Sequence, residues 1–200
     1  MSHAKQIQEM RDRARQHMTD GAVTGDYGLD RNQAIAVLNE ALATEIVCVL
    51  RYRFHYFMAT GIHSQAAKDE FLEHAKEEQE HADWIAERIK QLGGKPEMDP
   101  AGLTARSHSE YKEGNSLAEM LKEDLVAERI AIESYREMVR FFGEKDPTSR
   151  RLMERILAVE EEHADDIADL LYAQSESGAP RKLYYEDEVP GKSKAGQKAN

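Results

Sequence analysis

The stretches "EEQEHADWIA" at residues 77–86 and "VEEEHADDIA" at residues 159–168 carry one pattern twice, Glu-x-x-His followed by Ala-Asp. A second match lies upstream of each. "LNEALATEI" (38–46) aligns with "LKEDLVAER" (121–129), so that Leu38, Glu40, Leu42 and Glu45 fall on Leu121, Glu123, Leu125 and Glu128. The stripe continues through Val49 and Tyr52 in the first copy and Ile132 and Tyr135 in the second, at steps of four and three that keep to one helix face. Glu45 and Glu128 thus stand in the middle of apolar stripes. An unpaired buried carboxylate costs several kcal/mol, so something cationic must compensate.

The Glu-x-x-His pairs supply the rest of a site. Residues three apart on a helix point the same way, so Glu78 with His81, and Glu160 with His163, can each direct a carboxylate and an imidazole at one centre. With 38 acidic residues in 200, about one or two of the 8 histidines would carry this pattern by chance, so the repeat gives it weight. Glu45 precedes Glu78 by 33 residues and Glu128 precedes Glu160 by 32, which brings a mid-helix glutamate level with a Glu-x-x-His in both copies. The chain reads as two helical hairpins, each offering three metal ligands to a shared core.

The elements around this core follow from punctuation. A peripheral helix with a thin apolar face (Ile7, Met10, Ala14, Met18) is expected over about 5–19, followed by the loop "DGAVTGDYG". The first long helix starts near Asp30, an N-cap with Gln33 three residues on, and runs to about Thr60; the second runs from Ser64 to the Gly93-Gly94 pair, where a left-handed C-cap is easiest. The third opens with the capping box Ser116-x-x-Glu119 and ends near Gly143; the fourth opens with Asp146-Pro147 and ends near Gln174. Short links make two antiparallel hairpins. The polar stretch "KPEMDPAGLTARSHSEYKEGN" is long enough to cross the whole bundle, so the second and third helices run parallel. The expectation is an all-α four-helix bundle over 30–175 with one long crossover, an N-terminal extension over 1–29 and a tail over 176–200.

Composition restricts the function classes. A net charge of -11 disfavours wholesale wrapping by nucleic acid or an anionic membrane surface and suits a cation partner. The single cysteine, Cys48, excludes an internal disulfide and a four-cysteine metal site, and fits a reducing compartment. No run of eighteen apolar residues occurs, and "MSHAKQIQEM" lacks a signal-peptide core, which makes the cytoplasm the expected location.

Four carboxylates and two imidazoles form a hard, mostly oxygen donor set that suits two iron or manganese ions better than zinc. Glu78 and Glu160 would span both ions, with Glu45 and Glu128 holding one each at the ends. Tyr52, two turns beyond Glu45, is expected beside the metals, either as a core aromatic or in a catalytic hydrogen-bonding or redox role. His3, His17, His55, His63, His74 and His108 show no second ligand cluster, and only His55 is a candidate supporting group.

This constellation of a glutamate, a Glu-x-x-His, a glutamate and a second Glu-x-x-His resembles the ferritin-like di-iron carboxylate proteins. "EIVCVLRYRFHY" and "EHADWIAERI" look most like bacterioferritin, over about residues 31–173. The resemblance implies a ferroxidase that oxidises Fe(II) with dioxygen or peroxide and stores ferric oxide in a hollow shell of identical subunits, with Glu73 and Glu77 facing the cavity. Gln79 stands where bacterioferritins carry their haem methionine, so no haem of that kind is expected. The tail shows no fifth helix, which leaves a 12-subunit shell open beside a 24-subunit one. Two alternatives accompany this reading. One is a DNA-protecting mini-ferritin with basic ends (Arg11, Arg13, Arg15, Lys192, Lys194, Lys198); the other is a non-storing di-iron peroxidase or dimanganese catalase.

Overall fold

The computed structural model describes residues 3–62 and 64–173. The expected tail over 176–200, with Lys192, Lys194 and Lys198, lies outside the described residues. Four long helices dominate: α2 (Arg31–Met58), α3 (Ser64–Gln91), α5 (Leu117–Phe142) and α6 (Pro147–Ala173), with α1 (His3–Ala14) and α4 (Pro100–Arg106) as short additions. At about 1.5 Å per residue, each long helix spans roughly 40 Å.

Their ends follow the capping chemistry. The Asp30 carboxylate accepts from the Gln33 backbone N–H at 3.0 Å, Ser116 Oγ accepts from Glu119 N–H at 3.2 Å, and Asp146 Oδ1 accepts from Ser149 N–H at 2.9 Å. Gly93 closes α3 at φ 79, in the left-handed region a side chain resists. Gly94 follows it because a Cβ there would lie 2.8 Å from Ile35 Cγ2.

The crossover from α3 to α5 is laced along α2. Asn39 donates to the Lys95 carbonyl and accepts from Glu97 N–H, Thr44 Oγ1 accepts from His108 N–H, and Arg51 donates to the Glu110 carbonyl. Successive crossover residues thus meet successive α2 residues, so the chain is carried to the far end of α2 before α5 begins. That route makes α3 parallel to α5 and α2 parallel to α6. Within the stretch expected to be plain connection, Asp99-Pro100 starts α4, capped by Asp99 on Ala101 N–H at 3.0 Å. Leu103 of α4 is buried beside Ala43 and Val47.

By length and composition α2 could cross a membrane, with a window of mean hydropathy 1.6, yet it is the core helix of this bundle, packed against α3, α4 and α5. The apolar core falls in two clusters. Leu38, Leu42, Ile85, Ile89, Tyr135, Phe142, Met153 and Ile156 fill one end, and Tyr52, Phe71, Leu121 and Ile167 the other. Buried polar residues occupy the level between them. Helix α1 ends earlier than expected, at Ala14, and contributes no buried residue. The following segment is more than a loop: Val23, Tyr27 and Leu29 pack on the core, and Tyr27 donates to Asp146 at 2.8 Å.

Candidate metal centre

Glu45 comes from α2, Glu78 and His81 from α3, Glu128 from α5, and Glu160 and His163 from α6; each is only 1% exposed. Their ligand atoms gather into two groups with a spread under 4.8 Å, one of Glu45, Glu78, His81 and Glu160, the other of Glu78, Glu128, Glu160 and His163. Glu78 and Glu160 belong to both. His81 Nδ1 lies 3.2 Å from Glu45, 3.4 Å from Glu78 and 3.1 Å from Glu160. His163 Nδ1 lies 3.8 Å from Glu78 and from Glu160, and 3.9 Å from Glu128. Two ligands about 2.1 Å from a common ion stand roughly 3.0–3.4 Å apart, so both groups fit a cation with modest closure.

Satisfaction of the buried polar atoms makes the same point. Glu78 Oε1, Glu128 Oε2, both Glu160 oxygens and His163 Nδ1 have no hydrogen-bond partner. Such atoms are rare in folded interiors, and an ion held among them would satisfy them. Burial and the neighbouring Glu45 push the Glu78 carboxyl up to about 8; burial and Glu78 raise Glu128; burial with Glu78, Glu45 and Glu128 pushes Glu160 far above its usual range. Burial opposes charge on His81, but its bonds to Glu45 and Glu78 prevail and push it up to about 10. Without cations the cluster holds protons, which metal binding would displace.

The arms of the cluster are fixed by a crossed pair of phenols. Tyr52 of α2 donates to Glu128 of α5, and Tyr135 of α5 donates to Glu45 of α2. Burial and the carboxylate neighbours push both phenols far above their ordinary range, so both remain donors. Tyr135 was visible in the repeat as the counterpart of Tyr52, but its position alone did not reveal this bond.

Half-exposed Glu77 accepts from His163 Nε2 at 2.8 Å, which leaves Nδ1 for the ligand pocket. Two sequence expectations about histidines are corrected. His55 reaches none of the six residues; it pairs with Asp124 at 2.7 Å, one turn before Glu128, where Asp124 also holds the fully buried Arg51 at 2.8 Å. His74, given no role, stacks on His163 with ring centroids 3.9 Å apart and faces Glu70 and Asp166. Gln79 is exposed and donates to Asp83 at 3.0 Å.

The Ferritin family's ferritin-like domain matches residues 35–174. The chain belongs to the ferritin-like family. Among its relatives, the bacterioferritin of Desulfovibrio desulfuricans is 31% identical over 133 residues, 66% of this chain and 70% of that one. The "DNA protection during starvation protein" of Pyrococcus furiosus is 31% identical over 148 residues, 72% of this chain and 80% of that one. Among solved structures, a dodecameric thioferritin, the bacterioferritin-related protein of Bacteroides fragilis, superposes with a TM-score of 0.70 at 34% identity, covering 72% of this ferritin-like chain and 87% of its own.

Proposed function

We propose that this ferritin-like protein is a ferroxidase that oxidises Fe(II) at the six-residue centre and stores the product inside a closed shell of its own copies. The observation that carries this reading is the doubled donor set, two groups sharing Glu78 and Glu160, with orphaned oxygens inside a buried core. Glu45, Glu78, His81 and Glu160 would hold one Fe(II), and Glu78, Glu128, Glu160 and His163 the other, with manganese accepted by the same donors. Each Fe(II) yields one electron; dioxygen takes both, with two protons, to become hydrogen peroxide, or hydrogen peroxide takes both, with two protons, to become two waters. A carboxylate-rich set favours Fe(III) over Fe(II), which drives the step. Tyr52 and Tyr135 hold the terminal carboxylates in place through their hydroxyls.

The dodecameric Bacteroides fragilis relative supports a shell, and twelve copies is the number we adopt. The reading is tested by adding Fe(II) in air to metal-free wild-type protein and to Glu128→Gln. Ferric absorbance should appear quickly with the first and at the buffer rate with the second; equal rates would overturn it. The Pyrococcus furiosus relative's name supports DNA protection as a second activity. A gel shift that disappears when residues 180–200 are deleted would establish it.

A further inference from the structure

The two hairpins repeat one another ligand by ligand, and the places where the repeat breaks are therefore informative. Glu78 and His81 of α3 stand 82 residues before Glu160 and His163 of α6. At the same offset, Glu70, His74 and Glu77 correspond to Leu152, Ile156 and Val159, and Asp166 corresponds to Trp84. At the His81 end of the centre these positions are apolar: Ile156 is fully buried, with Leu152 and Trp84 packed against the same core cluster. At the His163 end all four are polar.

The polar set converges. His74, whose side chain is 2% exposed, aims Nε2 between Glu70 Oε2 at 3.5 Å and Asp166 Oδ2 at 3.9 Å, while its Nδ1 has no hydrogen-bond partner. The three ligand atoms lie within 4.8 Å of one another, and His74 forms a second such trio with Glu77 and His163. The carboxylates of Glu70 and Asp166 are 35% and 48% exposed, so the trio connects solvent to the ring stacked on His163. Two carboxylate oxygens and an imidazole nitrogen that converge within reach of one ion form a donor set suited to a divalent cation.

We propose that Glu70, His74 and Asp166 form a third divalent-cation site, through which ions exchange between solvent and the His163 end of the dinuclear centre. The exchange role rests on the dinuclear reading above; the third site does not. Ions would then reach the centre from one end only, because Leu152, Ile156 and Trp84 close the other.

The test uses full-length protein and Co(II) as the probe. Crystals soaked in Co(II) should show an anomalous peak among Glu70, His74 and Asp166 in addition to those at the centre. The double variant Glu70→Gln, Asp166→Asn should lose that peak and keep the others, and stoichiometry in solution should fall from about three ions per chain to about two. Both substitutions are at half-exposed positions, so folding is retained. Filled inner sites without a third peak would overturn the proposal, as would a third peak that survives the double variant. A third peak with an empty centre would uphold the site and refute the dinuclear reading. In stopped-flow mixing, Co(II) entry into the centre should slow about tenfold or more in the variant, in line with lost electrostatic attraction; an unchanged rate would refute the exchange role.

Discussion

Replacing Glu160 with glutamine should stabilise the metal-free protein, increasingly as pH rises. Glu160 ionises near 4.5 in the unfolded chain, but burial and the charges of Glu78, Glu45 and Glu128 push it far higher in the fold. A folded-state pKa raised above the unfolded value gives stability that is complete below 4.5 and is lost as pH climbs toward the folded value. Each pH unit that lies inside that window costs about 1.4 kcal/mol. Glutamine has the shape of the protonated acid and carries no titrating proton. Thermal melts of metal-free wild type and Glu160→Gln should therefore diverge as pH rises above about 5, by roughly 3–6 °C for each pH unit inside the window. Manganese should reverse the order, because the variant has lost an oxygen shared by both ions. A gap independent of pH would refute the claim that Glu160 sits protonated in a repelling cluster.

Metal binding should release protons from Glu78 and His81, held up to about 8 and about 10, so Mn(II) affinity should fall steadily from about pH 8 to about pH 6. Calorimetry in buffers of different ionisation enthalpy should show more than one proton released per filled centre. Tyr135→Phe removes the donor to Glu45 and should weaken Mn(II) binding about tenfold or more, read by competitive titration; Tyr52→Phe should do the same through Glu128. Asp124→Ala leaves Arg51 buried without its counter-charge and should cost about 3–5 kcal/mol in denaturant unfolding.

How much of this was legible in the sequence depended on the internal repeat. Glu45 and Glu128 were conspicuous as charges in apolar stripes, and the matched Glu-x-x-His motifs placed four more residues at the same level, where the structure brings all six together. Caps at Asp30, Ser116 and Asp146 gave helix starts within a residue. Residues without a repeat partner went unseen. Asp124, Arg51 and His55 correspond to Ala41, Ser134 and Met138 at the offset of the first and third long helices, so the comparison had nothing to match. His74 escaped for the same reason, since Asp166 meets it only after the two hairpins dock. Helix α4 could have been found, because Asp99-Pro100 carries the same start signal as Asp146-Pro147. The docking of Tyr27 could not, because its partner Asp146 lies 119 residues away.

The most direct test of a storage ferroxidase is aerobic Fe(II) loading of metal-free protein, reading iron retained per chain after gel filtration together with particle mass. The account predicts far more than two iron atoms per chain in a closed particle of twelve chains. Saturation at about two per chain in a monomer or dimer would contradict it and point to a dinuclear enzyme without mineral.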